Sequence, residues 1–171
     1  MRKFNRGFTL IELLIVIALL GALAVGLLAA LDPFEQLKKG TDTGVRNTVS
    51  EVHGAVIRYY AIKNYMPWCT AAGACGTEPN GTALTNATMT TMIANIVGTG
   101  ELKSDFSTLA GSGTLAKIFV TGSDVNATAA VCYKPTAKSF ISDPNTKYTV
   151  GGADTCAAAD PTQKTCYWCV K

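Results

Sequence analysis

The sequence predicts an α+β protein in which a long N-terminal helix, membrane-spanning in its outer half and amphipathic in its inner half, packs on a C-terminal antiparallel β-sheet. Three patterns predict it. From Phe8 to Leu31 the chain is apolar and carries one charge, Glu12. Val45, Val49, Val52, Val56 and Tyr59 then recur at alternating steps of four and three residues, the spacing of a helix with one apolar face. Beyond residue 115, short β-prone runs alternate with Gly, Asn, Asp and Pro, as in antiparallel strands joined by turns. Strands that follow a long helix form a head whose sheet covers the helical stripe.

Residues 1–7 are short, basic and polar. Arg2, Lys3 and Arg6 all precede Gly7, and beyond it the side chains balance at twelve basic and twelve acidic. The net charge of +3 therefore belongs to the leader and gives no support to a nucleic-acid surface. Three positive charges before an apolar run hold the N-terminus in the cytoplasm. A helix over 8–31 would reach about 36 Å, enough to cross a bilayer.

Glu12 decides among three readings of this run. A secretory signal cleaved after Ala22-Leu23-Ala24 gives no reason for a carboxylate inside the apolar stretch. A plain anchor leaves it equally unexplained, and a charge there costs about 2.5–3.5 kcal/mol at mid-membrane, less near the edge. The third reading gives Glu12 a partner. Arg6-Gly7-Phe8-Thr9-Leu10-Ile11-Glu12-Leu13-Leu14 resembles the N-terminal signature of type IV pilins and of the related type II secretion pseudopilins. The resemblance covers about the first thirty residues and implies the pilin fold. It implies cleavage by a prepilin peptidase between Gly7 and Phe8, with residues 1–7 removed, and N-methylation of Phe8 by the same enzyme. It also implies that Phe8 and Glu12 are assembly residues, the amine of one chain meeting the carboxylate of the next. A charge pair in low dielectric heavily penalises either member left alone, and that penalty can set the register of packed helices.

The resemblance further implies an inner-membrane, single-pass precursor that becomes an extracellular pilus. Its partners would be other copies of itself in a helical homopolymer, the peptidase, and an assembly platform with its ATPase. Gly21 and Gly26 weaken the apolar helix by about 1 kcal/mol each, which suits either close packing or local loosening on assembly. Many pilins carry a proline in this helix; here Ala29 stands at that position and the first proline is Pro33.

Residues 32–64 form the amphipathic continuation. Asp32-Pro33-Phe34-Glu35 reads as a helix restart, with Asp32 as N-cap and Pro33 at the first helical position. If the helix is nearly continuous from Phe8 to Asn64 it is about 57 residues, or roughly 85 Å, long. It ends before Pro67. His53, the one histidine, lies beside the stripe and reads as a helix residue rather than a metal ligand.

Residues 65–171 form the head, with a variable loop region at 65–115 and the sheet at 116–171. Helical or loop pieces are expected at Thr88–Val97, carrying Met89, Met92, Ile93 and Ile96, and at Ser104–Leu109. Strands are expected at Lys117–Thr121, Ala129–Lys134, Ser139–Ile141, Tyr148–Val150 and Thr165–Val170. Cys69, Cys75, Cys132, Cys156, Cys166 and Cys169 all follow the apolar run, as disulfides do in an oxidising compartment. Fifteen pairings are possible. Cys69–Cys75 is the expected local loop, with Cys166 and Cys169 tied to Cys132 and Cys156; the resemblance to pilins implies a disulfide that secures the C-terminal loop, in the stretch from Cys156 to Cys169.

Cys166-Tyr167-Trp168-Cys169 also fits a redox pair, but that chemistry needs a helix N-terminus to lower a thiol pKa, and this run is strand-like. Asn80, Asn86 and Asn126 each open an Asn-x-Thr glycosylation pattern, which an Asn- and Thr-rich head also produces by composition. Asp143, Asn145, Asp154 and Asp160 lie in C-terminal loops comparable to the calcium loop of pseudopilins, but no full calcium motif is present and no metal site is expected. No phosphate loop, nucleophile–base pair or paired acid is found, so neither a cofactor nor an enzyme is expected. The expectation is a structural pilus subunit; the alternatives are a type II secretion pseudopilin or a competence-pilus subunit that binds DNA.

Overall fold

The computed structural model describes residues 7–30, 32–156 and 166–171. They fall into two compact units, Met1–Leu37 and Lys38–Lys171.

The first unit is built on α1, Leu10–Ala30, followed by the opening of α2, which runs Pro33–Lys63. The nearly continuous helix expected over 8–64 is thus two helices. The sequence contains the cause. The Asp32 carboxylate accepts the Glu35 amide at 3.2 Å and the Asp32 carbonyl accepts the Gln36 amide at 3.2 Å, so Asp32 caps α2. Pro33 lacks an amide, which the first helical position can spare.

The second unit is the head. Val45, Val49, Val52, Val56 and Tyr59 are all buried, so the apolar stripe of α2 is the helix face that meets the core. The helix stops where Asn64 turns left-handed, at φ 59°, a conformation asparagine tolerates. After a loop come β1 (Thr82–Ala83), α3 (Ala87–Gly98), α4 (Phe106–Ala110) and α5 (Ser112–Leu115). Then follow β2 (Ile118–Ser123), β3 (Thr128–Tyr133), α6 (Lys138–Ile141) and β4 (Trp168–Val170). Asn86 caps α3 by accepting the Thr88 amide at 3.0 Å, and Met89, Met92, Ile93 and Ile96 are buried as their spacing required.

The four strands pair antiparallel in the order β1-β2-β3-β4. Register sorts the side chains. Ile118 faces Tyr133 and Val120 faces Val131, and all four join the buried core with Ala129. Phe119 and Cys132 stand opposite each other on the other face. There the 148–152 segment crosses the sheet: Thr121 donates its hydroxyl to the Val150 carbonyl at 3.3 Å, and Gly152 and Ala130 approach closely.

Two strand expectations fail. Residues 139–141 belong to α6, and of 148–150 only Tyr148 pairs, in an isolated antiparallel bridge with Tyr167. Three-residue apolar runs do not distinguish a helical turn from a strand by periodicity. Here a buried carboxylate from α2, described below, takes the amides of Thr136 and Ala137 and turns the chain into a helix. The last expected strand is shorter than 165–170: β4 starts at Trp168, and Thr165 lies outside the described residues. Strand β1 and helix α5 carried no usable pattern.

Gly122 lies where the Trp68 indole rests on the sheet. A Cβ there would overlap that ring and lie 2.6 Å from the Thr128 carbonyl oxygen, a backbone atom that cannot swing aside. Gly122→Ala should therefore lower head stability by about 1–3 kcal/mol, as overpacking does. Equilibrium urea unfolding followed by tryptophan fluorescence measures it, and an unchanged midpoint would contradict the contact.

Candidate assembly site

The N-terminal unit carries the unusual chemistry. α1 is 21 residues long, about 32 Å as a helix, and it buries none of them. Its length and apolar composition suit a bilayer span. Gly21 and Gly26 lie within it, the helix runs unbroken through both, and nothing lies within 4 Å of a Cβ added at either. A helix apolar on every face, with none of its residues buried among the described residues, needs lipid or other helices to cover it.

Gly7, Phe8 and Thr9 precede the helix, and all three are exposed. The Glu12 Oε2 accepts both the Thr9 amide and the Thr9 hydroxyl at 2.8 Å, and the Glu12 amide donates to Thr9 Oγ1 at 3.2 Å. This is a reciprocal capping box, with Thr9 as N-cap and Glu12 at the third helical position. The sequence signal was Thr-x-x-Glu ahead of an apolar run, and the reading of Glu12 as a carboxylate awaiting a partner passed it over. The carboxylate has a local role within one chain. The structure places Phe8, four residues before Glu12, outside the helix, with its side chain 80% exposed.

The head positions the remaining candidates. Cys69 pairs with Cys75, Cys132 with Cys169 and Cys156 with Cys166. The β3–β4 pairing sets Cys169 directly opposite Cys132, which leaves Cys166 to join Cys156. Cys166 and Cys169 are both joined to other cysteines and not to each other, which leaves the C-x-x-C run no dithiol couple. The Cys69 and Cys75 sulfurs also lie with an Asp124 oxygen in a group narrow enough for a metal, but bridged sulfurs offer no thiolate. Asp124 is otherwise engaged: it accepts the Met66 amide at 2.6 Å, and its own amide donates to Glu78.

Asp143 meets Arg46 at 3.5 Å and accepts the Asn145 amide at 2.9 Å, while Asp154 pairs with Lys147 at 2.8 Å. Two of the loop carboxylates thus face cations, and Asp160 lies outside the described residues. Asn80, Asn86 and Asn126 are exposed, but the Asn86 oxygen is taken by its helix cap and Asn126 approaches Ser123 in the β2–β3 turn. Burial pushes the pKa of His53 down, opposed by a hydrogen bond to the backbone of Ala129; the ring is half-buried and holds no metal partner among the described residues.

Two features of α2 went unread. Asp42, 2% exposed, sits one turn before Val45 on the buried face and holds the loop after β3. Arg46 lies over the Trp168 ring at 4.2 Å and the Phe140 ring at 5.0 Å, joining α2 to the last strand and to α6. A charged residue at stripe spacing was the available signal for Asp42.

Comparison with known proteins bears on the N-terminus and on more of the chain. Residues 2–28 match the prokaryotic N-terminal methylation motif. Over 104 residues the chain is 32% identical to the fimbrial protein EcpC of Eikenella corrodens, covering 61% of this chain and 67% of that protein. No solved structure matches the chain.

Proposed function

The chain belongs to the type IV pilin-like fimbrial proteins, and on that premise we propose that it is a structural subunit of a type IV pilus, cleaved between Gly7 and Phe8, N-methylated at Phe8 and polymerised through its N-terminal helix. The observation that carries this reading is α1: an apolar helix of membrane length, unburied among the described residues, headed by the methylation motif and one carboxylate. In the precursor, lipid covers it. In a filament, neighbouring helices do.

Cleavage creates an α-ammonium on Phe8, and N-methylation keeps its charge. The Phe8 amine of one subunit then pairs with the Glu12 carboxylate of the next, which fixes the axial register of the packed helices. The capping box directs both Thr9 bonds to Oε2 and so leaves Oε1 available to that amine. The role is assembly, not catalysis, and the energy for extension comes from an ATPase outside this chain.

Mass spectrometry of the mature protein tests the first step. The N-terminal peptide should begin at N-methylated Phe8. A start at Met1 or at Val25 would overturn the reading.

A further inference from the structure

The head concentrates positive charge in a groove beside the β2–β3 ladder. Lys117 stands just before β2 and Lys134 just after β3. The last rung of that ladder pairs Ile118 with Tyr133, so the next position sets the two lysines opposite each other. Like charges directly across a ladder destabilise it unless an anion lies between them. Both side chains are exposed, and neither forms an ion pair with another described residue. Lys38 of α2 joins them along a groove of about 480 Å³ that Phe119, Ile141 and Tyr167 also line. No Asp or Glu lines it. The groove is therefore cationic at its rim and apolar in its wall.

One lysine of this groove is close in sequence to the apolar helix. Lys38 follows the end of α1 by eight residues, so chain length alone keeps it within about 28 Å of the end of the span. Between them lie Phe34 and Leu37, both exposed apolar side chains. Arg2, Lys3 and Arg6 precede the apolar helix in the sequence, and Lys38 follows it.

We propose that in the membrane-inserted subunit this groove docks on anionic phospholipid, with headgroup phosphate oxygens bridging Lys117 and Lys134. The contact holds the head on the leaflet until the subunit is withdrawn into a filament. Lysine near an anionic leaflet gains about fivefold in association for each residue engaged, and salt screens the effect. The proposal rests on insertion of residues 8–31 in the bilayer, so its test must separate insertion from docking.

The full chain is reconstituted in nanodiscs of phosphatidylcholine alone, or of phosphatidylcholine mixed with phosphatidylglycerol. Amine acylation is followed lysine by lysine by peptide mass spectrometry. Lys117 and Lys134 should react about fivefold more slowly in the anionic discs and recover in high salt, while Lys63 and Lys103 do not change. Lys134→Gln should restore the reactivity of Lys117 without lowering the melting temperature. A chain that enters neither disc overturns the membrane reading itself. A chain that enters both and labels identically, or slows equally at all four lysines, overturns the docking alone. Equal protection of the detergent-solubilised chain by glycerophosphate would make this a free-phosphate site, and protection by oligothymidylate against the anionic discs would make it a nucleic-acid groove; either result also overturns the lipid assignment.

Discussion

Asp42→Ala will destabilise the head by roughly 3–5 kcal/mol, the range for breaking a buried charged network. Asp42 Oδ2 accepts the Thr136 amide at 2.8 Å and the Ala137 amide at 2.7 Å, and Oδ1 accepts the Thr136 hydroxyl at 2.9 Å. Alanine leaves the buried Ala137 amide and the part-buried Thr136 amide without their acceptor, at about 1–3 kcal/mol each, the larger loss at Ala137. The same residues begin α6, so the loss spreads to Phe140 and to its contact with Arg46. Asp42→Asn keeps one acceptor oxygen and should lose about half as much. Thermal unfolding of the oxidised protein should show the alanine variant melting roughly 10 °C or more below the parent. A fall within a degree or two would mean that Asp42 carries no such burden.

Glu12→Ala and Glu12→Gln should both insert into the membrane and both fail to form filaments. The pair separates two roles. Glutamine preserves the capping box, since its amide oxygen can accept the Thr9 bonds, but it cannot pair with an ammonium. Alanine removes both. An uncompensated amine in the filament core costs about 3–5 kcal/mol, which lowers subunit association by roughly a hundredfold to several thousandfold. Filament yield by electron microscopy and shearing, beside membrane fractionation, gives the measurement. Normal filaments from Glu12→Gln would reduce Glu12 to a helix cap and remove it from register setting.

Much of this fold was readable because its physics is periodic. The stripe from Val45 to Tyr59 and the Met89–Ile96 cluster obey the helical period, and all of them are buried. Asp32-Pro33 announced the helix restart in its own residue types. Where periodicity ran out, the reading did too. Ser139–Ile141 is too short to show a period, and the turn that leads into it is held by Asp42, which bonds Thr136 and Ala137 from 94 and 95 residues away. Cysteine pairing depended on register: the local Cys69–Cys75 loop needs none, but Cys132–Cys169 follows only once β3 and β4 are aligned. At the assembly site the motif was contiguous and therefore visible. The Thr9 side of it was not, because a carboxylate in an apolar helix drew attention to a distant partner and away from the nearest hydroxyl.

The Cys132–Cys169 bridge has a mechanical consequence. It closes 37 residues of chain and joins two neighbouring strands near the C-terminus. Fully extended, that length would reach roughly 130 Å. Tension applied to the head through the backbone must pass across the sulfurs instead, so this length is never paid out. A subunit pulled to partial unfolding would lengthen by what lies before Cys132, less the short Cys69–Cys75 loop, and Cys132 and Cys169 would remain neighbours throughout.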